Sequence, residues 1–383
     1  MQLKALDLFA GCGGLSFGLE EAGIDVVLAN EIDEWAADTY AHNHPDTQLL
    51  RGDVRDLKGA DLRALRGEID LVAGGPPCQG FSVSGRRQFG EVPIHNTLVE
   101  AFLDVIEHVR PPLVLMENVG GFRTAQLRPG VRALPFALER LENLGYEPAV
   151  LSLQAADYGV PSLRSRVFIV ASLGRLPIDP TPDRMFGAGT ERNHRSCLDA
   201  ISDLPALVAG EGEDGLQPYS APATNSFQLE MRTASQGVAN HVAMRHTPRL
   251  VRRFQTIPQG SSSYRSAEGA TVYKSNNQRL VGGVPSLCIT ANFQSNYIHP
   301  VQNRNLTARE AARLMTFPDR YIFKGKRTLM SKALLDKEGR SAEANLSQYN
   351  QIGNAVPPAL ARALGGVLVE IGSARAARPV LVA

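Results

Sequence analysis

The sequence predicts an α/β fold: a doubly wound, mostly parallel sheet with helices on both faces, and a smaller, irregular domain late in the chain. Three observations predict it. Over residues 1–175 short apolar runs alternate with helical patterns, the rhythm of strands joined by crossover helices. The first run opens into a glycine-rich turn, AGCGG, of the kind that carries a strand into a helix. Past residue 175 the alternation stops in a stretch rich in proline, glycine and acidic side chains.

The elements follow in order. LKALDLF is a strand, and LSFGLEEAG a helix closed by Gly23. VVLANE and IDEWAADTYAHNH form the next strand and helix, with another strand ending near Asp53 in RGDVRD. IDLVAGG is a further buried-type run. NTLVEAFLDVIEHVR has apolar residues at helical spacing, an Asn96 cap and a Pro111-Pro112 stop. PLVLMENV and RVFIVAS are strands separated by helical residues that lead to Gly145. Residues 176–230 read as loop. From Met231 to Val281, Arg232, Arg245, Arg249, Arg252, Arg253, Arg265, Lys274 and Arg279 face only Glu268, amid glycine, serine and asparagine. Such one-sided charge suits phosphate contact as well as a solvated surface. Helices return at LTAREAARLMTF and PPALARALGGVLVEIGSA.

Composition narrows the function. A chain of 383 residues with a formal net charge of +1 can bury a large core and is not a globally basic nucleic-acid coat, though a local basic surface remains open. No apolar run reaches the ~18 residues of a membrane span. The N-terminus runs directly into a strand, so a soluble, cytoplasmic protein is expected. The four cysteines, Cys12, Cys78, Cys197 and Cys288, lack metal-knuckle spacing, and no metal is expected.

The chemistry sits at strand ends. Glycines Gly11, Gly13, Gly14 and Gly18 let backbone approach a ligand, and Glu31, about twenty residues on, can take both hydroxyls of a ribose. A nicotinamide, flavin or S-adenosylmethionine cofactor would suit this turn, and a purely structural turn competes. The departure from plain G-x-G-x-x-G spacing tilts away from a dinucleotide. In GGPPCQGFS, Cys78 follows Pro76-Pro77 among glycines, a stiff and uncovered setting that suits a nucleophile better than a packing residue. Glu117, in ENV, ends another strand and is a candidate proton donor. Arg164 and Arg166 alternate in SLRSRVFIV, so two guanidiniums on one face would aim at one charged target.

Taken in order, DLFAGCGG, GGPPCQGFS, MENV, R-x-R, RNLTAREAARLMTFPD and YNQIGNAVPP resemble the motif set of the DNA (cytosine-5) methyltransferases of bacterial restriction-modification systems. The resemblance implies a Rossmann-like S-adenosylmethionine-dependent methyltransferase fold, with S-adenosyl-L-homocysteine as product. It implies that Cys78 attacks C6 of a cytosine flipped from duplex DNA, that Glu117 acts at N3, and that Arg164 and Arg166 hold the base and the site's charge. Matching cofactor positions are Phe9, Ala10, Gly11, Gly13, Gly14, Leu15, Glu31, Ile32, Asp53, Val54, Pro77, Leu98, Asn354 and Ala355. Ser82, Ser84, Arg86 and Arg87 fall in a loop expected to close over DNA, and Arg245, Arg252 and Arg253 in its reading region. The implied domains are a catalytic and cofactor-binding part (1–175), a target-recognition domain (176–303), and a return to the catalytic domain (304–383) whose C-terminal helix packs beside the first strand. The expected substrate is double-stranded DNA, in the nucleoid of a bacterial cytoplasm. A restriction endonuclease is the functional partner, and the enzyme acts as a monomer. Ser162 stands where the family has glutamine, and Pro93 and His95 where it has aspartate and arginine. Two other readings compete: a tRNA cytosine-5 methyltransferase, disfavoured by the long variable region, and an inert DNA-binding regulator, disfavoured by the intact reactive residues.

Overall fold

The computed structural model describes residues 2–77, 97–266, 268–274, 276–328, 335, 337–339 and 344–377. The chain forms two compact units: Met1–Gln154 with Ser165–Asp183 and Leu360–Ala383, and Ala155–Arg164 with Arg184–Ala359.

The first unit is built on a seven-stranded sheet. Its strands are β1 (Lys4–Leu8), β2 (Asp25–Glu31), β3 (Gln48–Arg51), β4 (Leu71–Gly74), β5 (Leu113–Asn118), β6 (Tyr146–Gln154) and β7 (Ser165–Leu173). The spatial order is β3-β2-β1-β4-β5-β7-β6, with β1 to β5 parallel and β7 antiparallel to both its neighbours. Every residue of β4 and β5 is buried, which is why both read as unbroken apolar runs rather than alternating ones. The helices α1 (Gly14–Glu21), α2 (Glu34–Asn43), α3 (Gly59–Ala64), α4 (Thr97–Val109) and α5 (Ala133–Asn143) supply the crossovers. α4 buries Val99, Phe102, Leu103, Ile106 and Val109 in the main core. The chain order reverses at β1, so the carboxyl ends of β1 and β4 flank the crevice where such sheets take ligands.

From Leu360 onward the C-terminal helix belongs to this unit, and two glycines set its approach. A Cβ on Gly365 would stand 2.6 Å from that of Ala22, and one on Gly372 would stand 3.0 Å from Leu3. The helix therefore lies against the end of α1 and the residue that opens β1. Within Gln348–Ala376 one 18-residue window has a mean hydropathy of 1.3, apolar enough to cross a membrane by length and composition alone. Within the protein 61 % of that apolar window is buried, which suits a core helix.

The sequence reading placed the return to the first domain at residue 304; the contacts place it at Leu360. The reason is a charged core in the second unit. Helix Ala308–Leu314 is buried along its whole length, opened by a Thr307/Glu310 capping box. Arg304 forks onto Glu310 at 2.8 and 2.6 Å, and Arg309 donates to the carbonyls of Ala239, Pro318 and Tyr321. Arg313 donates to Asp319 at 2.6 Å and reaches Asp203 at 3.2 Å. These pairs tie 304–319 to residues 203–239, so the segment cannot leave the second unit without stranding charges. Removing Asp319 leaves the buried Arg313 with Asp203 alone and takes from the buried Arg309 the carboxylate 3.9 Å away. Asp319→Ala should therefore lower unfolding stability by about 3–5 kcal/mol, read by urea denaturation; a loss below about 1 kcal/mol would refute this account.

Candidate active site

The turn after β1 is shaped by backbone geometry. Phe9, Gly11 and Gly13 have φ of 57°, 58° and 89°, and Gly13 caps α1 without a side-chain bond. At Gly11 a Cβ would meet nothing within 4 Å, so that face of the turn is open as well as glycine-specific. Across the crevice the Glu31 carboxylate ends β2. It accepts from the backbone N–H of Gly11 at 2.7 Å, Ile32 at 2.9 Å and Asp33 at 2.7 Å. Burial raises its pKa, and the Asp33 and Gly11 bonds oppose that rise. Ile32 stands 64 % exposed beside it, an apolar surface with no packing role among the described residues. Asp53 caps the turn after β3, with Val54 buried behind it and Leu98 packed on the core. A nucleoside cofactor fits this set: an open glycine turn, a fixed carboxylate for the ribose and a free apolar face for the base.

One strand over, β4 ends at Gly74 and continues through Gly75 to Pro77. Asn118 Nδ2 donates to the Pro76 carbonyl at 3.0 Å, tying this segment to the end of β5. The preceding residue, Glu117, lies directly against Gly75, where a Cβ would come within 3.0 Å of its carboxylate. Only glycine leaves that room. Because β7 runs antiparallel to β5, its first residues lie at the end of β5, and Arg166 Nε reaches Glu117 Oε1 at 2.8 Å. Both side chains keep slight access to solvent, 12 % and 11 %. The Glu117 carboxylate is thus fixed between the Arg166 guanidinium and the Gly75 backbone.

The predicted residues divide. Cys78, Ser82, Ser84, Arg86, Arg87, Pro93, His95 and Asn96 lie outside the described residues. Glu117 and Arg166 are paired, and Gly75 lies against the Glu117 carboxylate. Arg164 does not join Arg166 on a common charged target. Its guanidinium is fully buried and donates to the carbonyls of Ile289 at 2.6 Å, Gly353 at 3.0 Å and Ala355 at 2.7 Å. These bonds tie Arg164 to the Gly353–Ala355 turn within the second unit. Ser162 is also buried, donating to the Leu287 carbonyl at 3.1 Å where short strands Ser162–Leu163 and Ser286–Leu287 pair.

The basic stretch of the second unit is likewise less uniform than its sequence. Arg279 is buried and donates to the carbonyls of Ile257, His299 and Gln302. Arg232 pairs with Asp203 and lies over the Tyr219 ring at 3.9 Å. Arg253 covers Tyr264 at 5.3 Å. Exposed charge remains at Arg245, Arg249, Arg252, Arg265 and Lys274, with Arg249 and Arg252 on helix Pro248–Gln255. Sequence reasoning missed Asn118 and the buried Asp7; a polar residue inside an apolar strand was the available signal for both.

Sheet order and strand-end residues define a Rossmann-like methyltransferase. A candidate DNA modification methyltransferase from an Escherichia coli prophage has the same fold, with a TM-score of 0.74 at 24 % identity, covering 97 % of this chain and 100 % of that one. The chain belongs to the C-5 cytosine-specific DNA methylase family, whose profile matches residues 3–370. Among its relatives, the type II methyltransferase M.DdeI of Desulfomicrobium norvegicum is 41 % identical over 375 residues, covering 94 % of this chain and 87 % of that protein. The type II methyltransferase M1.HphI of Haemophilus parahaemolyticus is 33 % identical over 381 residues, with 97 % and 88 % covered. The reaction is methyl transfer to C5 of cytosine in DNA, and the family uses S-adenosylmethionine.

Proposed function

We propose that the protein is the modification methyltransferase of a type II restriction-modification system, acting on a cytosine flipped out of duplex DNA. The pair Glu117–Arg166, packed against the Gly75–Pro77 segment that leads into Cys78, carries this reading. Cys78 adds to C6 of the base, Glu117 supports N3 as charge develops there, and Arg166 fixes the carboxyl. Once C5 carries the methyl group, loss of the C5 proton expels Cys78 from C6 and leaves 5-methylcytosine. Bound S-adenosylmethionine supplies the methyl group as a sulfonium donor. Phe9 to Leu15 and Glu31 would hold its ribose and chain, and Ile32 and Asp53 would border its base. The family resemblance also assigns Asn354 and Ala355 to the cofactor, and within the second unit Arg164 bonds to that turn. The exposed arginines Arg245 and Arg252 suit phosphate contacts of the target-recognition region. The enzyme acts as a monomer, with a restriction endonuclease as its functional partner and bacterial cytoplasmic DNA as substrate.

Expression in cells lacking cytosine methylation, followed by bisulfite sequencing, tests the proposal. One short sequence should be methylated at a single cytosine throughout the genome. Methylation of tRNA without DNA, or scattered methylation with no common sequence, would overturn it.

A further inference from the structure

Beneath the glycine turn lies a carboxyl that this mechanism does not use. Asp7, on β1, is 1 % exposed and accepts from Ser16 Oγ at 2.6 Å through one oxygen. Its other oxygen, Oδ1, is buried with no hydrogen-bond partner among the described residues. The groups acting on it come from three elements. Ser16 and Glu20 stand on α1, Glu31 on β2, and Tyr40 on α2, with β4 contributing only Leu71–Gly74. Glu20 is itself held by His44 Nδ1 at 2.9 Å, and Cys12 of the turn faces Glu31. No lysine or arginine is among them. Burial first, then the neighbouring carboxylates, push Asp7 up to about 7 against the Ser16 bond.

The hydroxyl chain lets Asp7 exist in either protonation state. Ser16 Oγ stands 2.8 Å from the Tyr40 hydroxyl, and either can donate. With Asp7 ionised, Tyr40 donates to Ser16 and Ser16 to Asp7. With Asp7 protonated the chain reverses, Asp7 donating to Ser16 and Ser16 to Tyr40, whose own proton can turn to Thr47. No hydroxyl is orphaned either way, so the proton can leave without disturbing the fold.

We propose that Asp7 is a positioning residue that loses its proton when a cationic cofactor occupies the glycine turn, becoming the buried counter-charge to the sulfonium. The inference rests on the cofactor reading given above. The balance is simple: one cation enters, one proton leaves to solvent, and no covalent bond changes. The sign follows from linkage. Below about pH 7 free Asp7 is neutral, so binding must expel a proton and is weakened; above it the carboxylate is already formed and affinity is flat.

Titration calorimetry of S-adenosylmethionine, in buffers of different ionisation enthalpy between pH 6 and 7, reads this directly. That range lies below the ligand's own ammonium. The wild type should release a proton fraction that shrinks as pH rises, with Kd falling about fivefold from pH 6 to pH 7. Asp7→Asn should show neither effect. S-adenosylhomocysteine, whose sulfur is uncharged, should release less on the wild type, an arm that stands even where the variant does not fold. Pronounced binding without proton release, or equal release for both ligands, would overturn the role of Asp7 and leave the cofactor site standing. Absence of binding at every pH would remove both.

Discussion

Replacing Cys78 by serine should lower methyl transfer by at least about 10⁴-fold, the scale on which loss of an attacking group is felt. The reason is chemical rather than structural. A thiolate is accessible near neutral pH, and an alkoxide is not. The substitution nearly keeps size and alters none of the residues that form the Asn118 bond to Pro76, the Glu117–Arg166 pair or the Gly11–Glu31 bond. Cofactor affinity should therefore stay near the wild-type value. Single-turnover methylation of a duplex oligonucleotide and cofactor titration separate the two quantities. A duplex carrying 5-fluorocytosine should trap the wild type covalently and not the variant. Turnover within about 10²-fold of wild type would sink the assignment of the nucleophile.

The next largest effect is expected at Glu117. Glu117→Gln keeps the shape, and its carbonyl can still accept from Arg166 Nε, but it can neither carry nor deliver a proton. A fall in kcat of about 10²–10⁴-fold should follow, with KM for the cofactor little changed. Arg166→Ala removes the group that fixes the carboxyl and should lower kcat in the same way. Because the two act as one unit, the double variant should lose no more than the worse single. Full additivity in that cycle would mean that the 2.8 Å ion pair has no part in the reaction.

The strands that carry the chemistry were legible because they are buried on both faces. β4 and β5 are continuous apolar runs, and function begins where each run meets glycine or glutamate. β6 was not legible. As an edge strand it is half exposed and holds Glu147, Pro148, Ser152 and Gln154, a pattern an edge tolerates and a central strand would not. Pairwise relations were equally hidden. The R-x-R spacing suggested two guanidiniums on one face, yet the strand break between Leu163 and Ser165 sends Arg164 to backbone carbonyls and Arg166 to Glu117. Spacing reports direction along a strand and says nothing of where that strand starts. The charged core around Arg304, Arg309 and Arg313 escaped for a related reason: in sequence a buried arginine is indistinguishable from a solvated one.

The first unit is assembled from three separate stretches of chain, and the last, from Leu360, supplies the helix against Leu3 and Ala22. On a ribosome this has a temporal meaning. Residues 1–154 emerge first and can pair β1 to β5, yet the apolar face near Leu3 and Ala22 stays open until the helix from Leu360 has been made. The second unit is likewise begun by residues 155–164 and left unfinished until 359. Loop-closure entropy of that span is met once, late, and for both units together. The first unit is thus closed only after residues on both sides of the second unit have been made.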